Sequence, residues 1–323
     1  DLTQFGINIS HNGPLPPLSV VFSASPDYRN PQTQQTSLGI QHEFGHRFTV
    51  SANGIFVRGS HLTDAYDNNL LSNAPFDKSI GTQNYAADAT HPGGYFVNPL
   101  IFQSNVYESN SNSFYGGLLL EASKRFTRGS QLNFNYTWSH ATDETTDYNS
   151  DFEPNNQTCR RCDRSSSSFD ERHKVVVYAV LESPAARNAF ARNWVFSPIF
   201  QYHSGQPFNL LVGGSDINGD RHNTTDRPPY AGRNTGLGPG FAAFDTRLQR
   251  AFTFRDRLRL DLMFEAFNLF NRLNYQSVNN TVGATFRGPF NVMGRHDRAP
   301  TDPLGFTSAF DPRRLQLGFR LTY

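Results

Sequence analysis

The last eleven residues of this 323-residue chain constrain it most. Leu315, Leu317, Phe319, Leu321 and Tyr323 alternate with Arg314, Gln316, Gly318, Arg320 and Thr322. A period of two is the period of an extended strand, so the segment carries one apolar face and one polar face. Such a strand can finish a soluble sandwich, or it can form part of a wall with oil on one side and water on the other.

The same alternation recurs along the chain. Leu38, Ile40 and Phe44 run into a tight turn at Gly45 and His46, and Phe48, Val50, Ala52 and Phe56 lead out of it, which predicts a hairpin. Residues 114–126 place Phe114, Leu118, Leu120, Ala122 and Phe126 on one face. After a turn at Thr127, Arg128 and Gly129, Leu132, Phe134, Tyr136 and Trp138 alternate strictly with Gln131, Asn133, Asn135, Thr137 and Ser139. Further strands are predicted at residues 174–181 and 194–202. A hairpin is expected over 244–254 and 258–270 around Arg255 and Asp256, followed by the closing strand. Residues 1–33, rich in Pro and Asn, read as a loop with a short strand near Phe5 to Ile9, and a polar stretch fills residues 63–111. The connections alternate between short turns and long polar loops. A soluble meander has no reason to gather its long loops at one end, whereas a membrane barrel does.

Composition fits that pattern. Only 37% of residues are hydrophobic, yet 14% are aromatic, with 29 Phe and 13 Tyr. The mean hydropathy is −0.55. Strands that are half polar with aromatic girdles produce this pairing. No apolar run reaches the roughly 18 residues of a membrane-spanning helix, which leaves spanning by strands open. A net charge of +1 argues against a nucleic-acid partner, which would demand a clustered basic excess. Near Asp1 there is no charged segment followed by an apolar one of the signal-peptide kind. Cys159 and Cys162 form a Cys-x-x-Cys in a polar loop with only His173 nearby. That is a poor metal set, and a local disulfide in an oxidising compartment is expected.

Several segments resemble the C-terminal barrel of TonB-dependent outer-membrane receptors, in particular their Oar-like branch. They are residues 55–62 (IFVRGSHL), 111–142 (SNSFYGGLLLEASKRFTRGSQLNFNYTWSHAT), 169–173 (FDERH), 202–208 (YHSGQPF), 226–229 (DRPP), 245–250 (DTRLQR) and 265–275 (EAFNLFNRLNY). The resemblance implies an all-β, antiparallel transmembrane barrel with short periplasmic turns and long extracellular loops, in the outer membrane of a Gram-negative bacterium. A receptor of this kind closes about 22 strands, and nine or ten are legible here, so the chain is expected to be one domain over residues 1–323, the C-terminal part of a larger barrel. No TonB box, plug or regulatory-like domain occurs in these residues. The expected partners are outer-membrane lipid, the barrel assembly machinery, the TonB energy-coupling complex through a plug, and a bulky solute of unknown identity. Gln316, Gly318, Phe319, Leu321 and Tyr323 match the family's terminal assembly signal. An isolated part of such a barrel would leave two strand edges unpaired, unless it closed as a smaller barrel.

Candidate chemical motifs compete with this reading. His42-Glu43-Phe44-Gly45-His46 matches H-E-x-x-H, which on a helix would bind zinc through His42 and His46 with Glu43 as general base, giving a secreted metallopeptidase. A third ligand at the usual spacing is missing. Asp216, Asn218 and Asp220 have the alternating oxygen ligands of a calcium loop, without a closing glutamate. No nucleophile elbow or phosphate loop is legible, so neither an enzyme nor a cofactor is expected. By alternation Glu121, Arg125, Asp245, Arg247, Arg259, Asp261 and Glu265 point into the barrel, where they would line a solute path, contact a plug, or simply hydrate the wall. A barrel whose loops bind partners without transport, an adhesin, is the third reading.

Overall fold

The computed structural model describes residues 19–45, 47–126, 129–145, 153–183, 190–254, 258–288 and 298–323. His46, Thr127, Arg128, Arg255 and Asp256, on which three of the expected turns rest, lie outside them, as does the short strand expected near Phe5 to Ile9. The strands in chain order are β1 (Ser19–Ala24), β2 (Gln32–Phe44), β3 (Phe48–Asp67), β4 (Phe76–Asp77), β5 (Thr82–Gln83), β6 (Ile101–Arg125), β7 (Gln131–Asp143), β8 (Ser165–Ser166) and β9 (His173–Glu182). They continue with β10 (Trp194–His203), β11 (Pro207–Phe208), β12 (Gly236–Leu237), β13 (Phe241–Phe254), β14 (Leu258–Phe267), β15 (Tyr275–Val278), β16 (Phe306–Ala309) and β17 (Arg314–Thr322).

Nine of these make one wall in the order β17-β14-β13-β10-β9-β7-β6-β3-β2, with β1 and β8 added beside it. Each wall strand pairs antiparallel with its neighbour along the chain, so the wall is an up-and-down meander. Among the described residues β2 and β17 are not paired to each other, and both are exposed throughout. The sheet is therefore open, with an edge at each end, and is not a small closed barrel.

The registers put the apolar residues of neighbouring strands in rows. Ile40 faces Ala52, Ala52 faces Leu120, Leu120 faces Tyr136, and Tyr136 faces Val175. A second row runs Leu181, Phe196, Leu248, Phe264, Leu317. These rows face outward: Ile40 is 74% exposed, Leu120 36%, Phe196 37%, Phe264 38% and Leu317 85%. A large contiguous apolar surface turned away from the protein is the solvent face of a sheet whose solvent is lipid.

The observed strands are longer than the alternation predicted. β3 extends to Asp67 and β6 begins at Ile101, within the stretch read as polar loop. About 9–11 residues of tilted strand cross a bilayer, so strands of 20 and 25 residues project well beyond it. In the projecting part both faces are wet and no apolar alternation is needed. The boundary is marked by register shifts between Gly59 and Asp64, where His61 takes a left-handed φ of 56°. β1, in the stretch read as a loop, pairs parallel with this projecting part of β6. At the other end β14 stops at Phe267 and not at residue 270. Asn268 turns left-handed there (φ 48°), its amide donating to Asp245 Oδ1 at 2.7 Å.

Candidate functional site

The four long connections, residues 68–100, 144–172, 204–240 and 268–313, leave the same end of the wall and interlock there. Two apolar clusters lie inside them. One is Ala74, Tyr85, Tyr95 and Phe96, and the other is Leu210, Leu304 and Phe306, with Phe208, Tyr275 and Val282 packed against it. Backbone bonds tie the connections together: Tyr85 N donates to Asn218 O at 2.6 Å, Leu211 N to Asn280 O at 2.9 Å, and Val282 N to Leu211 O at 2.9 Å. The Arg221 guanidinium lies 3.6 Å from the Phe96 ring centroid.

Buried ion pairs add orientation. Arg233 Nη2 stands 2.6 Å from Asp143 Oδ1, and Arg227 forks onto Asp163, Nη1 donating to Oδ2 at 3.1 Å. Both arginines come from the 204–240 connection, and Asp163 comes from the 144–172 connection. The turn bearing Asp163 (Arg160–Asp163) is tied at its third residue, Cys162, to the preceding Cys159 by a disulfide whose Cα atoms are 5.3 Å apart.

Deeper in the same assembly His222 Nε2 lies 3.1 Å from Asp67 Oδ2 and 3.3 Å from Glu153 Oε2, all of them buried. Burial pushes the Glu153 carboxyl up to about 8 and the Asp226 carboxyl likewise to about 8. Burial alone would lower the His222 imidazole, but its hydrogen bond to Asp67 and the charges of Glu153 and Asp220 outweigh that and hold it at about 9. The cluster thus retains more protons at neutral pH than the same groups would in water. Sequence reading missed it because Asp67, Glu153 and His222 are far apart in the chain and share no motif.

At the rim of the wall a half-open pocket of about 320 Å³ lies between the 204–240 and 268–313 connections. His203, the last residue of β10, faces Phe241, the first of β13, across the ladder, their rings stacked at 5.2 Å and 10°. Phe310 meets Phe241 edge-on at 5.0 Å. Gln206, Gln276, Ser277 and Asn280 supply the polar lining, and among the described residues no Asp, Glu, Lys or Arg lines it. The chain crosses itself at its edge: a Cβ on Gly205 would meet the Gly238 carbonyl oxygen. This is the physical need for the glycine in the Ser204-Gly205-Gln206 segment.

The structure scatters the other residues singled out in the sequence. His42 and Glu43 are consecutive positions on β2, opposite Val50 and Thr49, so they point to opposite faces of a strand. The helical geometry of a zinc H-E-x-x-H is therefore not formed. His46 lies outside the described residues. Asp216 Oδ1 accepts the backbone amides of Gly219 (2.7 Å) and Asp220 (3.1 Å), while Asn218 Nδ2 donates to Asp220 Oδ2 at 2.7 Å. Among the described residues no group of three His, Cys, Asp or Glu is arranged to hold a metal ion.

Glu121, Asp245, Arg247, Arg259, Asp261 and Glu265 sit on the face of the wall opposite the apolar rows, as the registers require. Glu121 Oε2 accepts from Ser51 Oγ at 2.7 Å, Arg247 Nε lies 3.6 Å from Glu265 Oε1, and Arg259 Nε lies 3.1 Å from Asp261 Oδ1. Arg125 ends β6 opposite Gln131 and is exposed. On β17, Gln316 and Gly318 face Glu265 and Met263, while Phe319 and Leu321 face Leu262 and Leu260 on the apolar side, and Tyr323 is fully exposed.

Comparison with known proteins agrees with this geometry. The outer membrane beta barrel domain family matches residues 3–231 and 230–298. No curated protein matches the sequence. Among solved structures, the outer membrane transporter YddB from Escherichia coli is similar at 8% identity and a TM-score of 0.52, over 92% of this chain and 33% of that one. The FrpB iron transporter from Neisseria meningitidis, at 13% identity and a TM-score of 0.47, is covered over 32% of its length by 94% of this chain. The chain thus spans about a third of the length of these structures. With its apolar rows turned outward and its long loops gathered at one end, the chain belongs to the outer membrane beta barrel domain family and is a protein of the Gram-negative outer membrane.

Proposed function

We propose that this chain forms the C-terminal part of the wall, and the extracellular loops, of a TonB-dependent receptor that takes up a bulky solute. The observation that carries the reading is the open nine-strand wall with its interlocked loops, covering 33% of an outer-membrane transporter at a TM-score of 0.52. In this reading the remaining two thirds of such a receptor supply the other strands and a plug. The plug contacts the charged inner face at Glu121, Arg125, Asp245, Arg247, Arg259, Asp261 and Glu265, and couples uptake to the inner-membrane TonB complex. The loops capture solute before the plug releases it. β17 is the strand presented to the assembly machinery.

The physical basis is a division of labour. An outward apolar face satisfies lipid, and a hydrated inner face keeps charges paired without closing the lumen. The test is made in the producing cell. The protein should sediment with outer membranes and migrate as a heat-modifiable species, and solute accumulation should stop when the energy-coupling complex is deleted. A soluble, metal-dependent monomer would overturn the reading, and accumulation indifferent to that deletion would remove the energised step. Truncation of Tyr323 should lower the assembled fraction, and unchanged assembly would remove the role given to β17.

A further inference from the structure

Resting on the receptor reading, we infer that the rim pocket between the 204–240 and 268–313 connections is a subsite for an uncharged sugar ring of a neutral oligosaccharide. Three features carry this. The first is the absence of any Asp, Glu, Lys or Arg from the lining among the described residues. Desolvating an ionic solute there would leave its charge without a partner, a cost that a receptor for anionic or cationic cargo avoids by placing opposite charges in the site.

The second feature is the arrangement of rings. Phe241 is stacked on His203 and is met edge-on by Phe310, which is itself 41% exposed. Flat apolar faces at the mouth of a cleft match the C–H faces of a pyranose ring, and they discriminate little against its polar edge. The third feature is what stands between the rings. Gln206, Gln276 and Asn280 carry amides that both donate and accept, and Ser277 carries a hydroxyl that does the same. Some of this capacity is used inside the protein: Asn280 Nδ2 donates to Asn209 O at 2.9 Å, Gln206 Nε2 donates to Glu171, and the Ser277 hydroxyl bonds that of Thr307 at 2.6 Å. The Gln276 amide and the side-chain amide oxygens of Gln206 and Asn280 remain to meet ring hydroxyls, which a wholly apolar ligand would not supply.

Glu171 lies outside the lining and is occupied: it accepts from Gln206 Nε2 at 3.1 Å and stands 3.6 Å from Lys174 Nζ and 3.7 Å from Nδ1 of His203, the one titratable side chain of the described lining apart from the Tyr275 phenol. A volume of about 320 Å³ is at the small end of ligand pockets, the scale of a subsite for part of a chain and not of a whole bulky solute. Its position agrees: His203 and Phe241 share the face of the wall that carries Asp245 and Arg247, so the pocket opens at the mouth of the lumen.

The test uses the full chain, purified from outer membranes in detergent and applied to an array carrying neutral glycans, sialylated and uronic-acid glycans, and uncharged peptides. Saturable binding to neutral glycans is expected. Phe241→Ala and Phe310→Ala should each weaken it tenfold or more, and Gln276→Ala should weaken it severalfold. Outer-membrane sedimentation and heat-modifiability are read on the same preparations, including each variant, so that a folding failure is separated from a binding failure. A folded, membrane-inserted protein that binds no neutral glycan, that binds only acidic glycans or peptides, or whose binding survives both aromatic substitutions, overturns the inference and leaves the receptor reading intact. A protein that never reaches the outer membrane overturns the receptor reading itself.

Discussion

The wall and the loop assembly above it are built from one chain by opposite rules. In the wall the large apolar side chains are the exposed ones, Leu317 at 85% and Leu38 at 79%, and strand after strand turns its polar residues inward. In the loops the order reverts to that of a soluble protein: Tyr85, Leu210 and Leu304 are essentially inaccessible, and charged groups are buried in pairs. The difference teaches that burial follows the solvent each region meets. A strand in lipid gains nothing by hiding Leu, while a loop in water must make its own core to hold a shape. Small loop cores are weak, so the loops also rely on ion pairs and a disulfide.

Breaking a loop ion pair should produce the largest effect. Arg233→Ala strands Asp143, buried with its partner only 2.6 Å away, and should destabilise the loop assembly by about 3–5 kcal/mol. Limited proteolysis should then cut residues 204–240 rapidly while the wall stays heat-modifiable. A variant as resistant as the parent would show that the loops are held by other means.

On the wall, Leu120→Arg places a charge in the middle of an outward row and should cost about 2–4 kcal/mol in urea unfolding of membrane-inserted protein. Ser123→Arg, on the opposite face among Thr49 and Asn133, should cost far less. Equal costs would contradict the assignment of faces.

Reducing Cys159–Cys162 opens a very short loop beneath Asp163, and the chain-entropy argument gives about 2 kcal/mol. Hydrogen exchange should rise around Arg160–Asp163 and Arg227 and nowhere in the wall.

Proton linkage should give the smallest effect for a single group over a single pH unit. The Glu153 carboxyl is raised by burial from 4.5 to about 8, and His222, held up by Asp67, from 6.5 to about 9. For a group whose value is raised by folding, the stabilisation is complete below its ordinary value and lost as pH rises through its folded one. Each group therefore removes about 1.4 kcal/mol per pH unit between those limits. The loops should open progressively from about pH 4.5, through Glu153, to about 9, most steeply between 6.5 and 8 where Glu153 and His222 both respond, as read by exchange in residues 204–240, while the wall is unmoved. Tightening with rising pH would refute the proton-sharing cluster.

Most of the wall was legible in the sequence because period two leaves a direct trace wherever one face meets lipid. β9, β10 and β17 fall within a residue or two of where the alternation puts them, and β7 starts there but runs on to Asp143. The projecting halves of β3 and β6 were not, since strands wet on both faces carry no alternation to read. The loops were less legible still. Asp67, Glu153 and His222 meet only because three separate connections fold over one another, and the rim pocket joins the ends of β10 and β13 to residues near 276 and 310.

Sequence by itself determined the wall: which residues face outward, and that its solvent is lipid. These are local consequences of a two-residue repeat. Only the tertiary structure decided that the sheet stays open between β2 and β17, that the loops share buried protons and ion pairs, and that an uncharged pocket sits at their base. Those features depend on contacts between residues tens to more than a hundred positions apart, and the sequence has no period that records them.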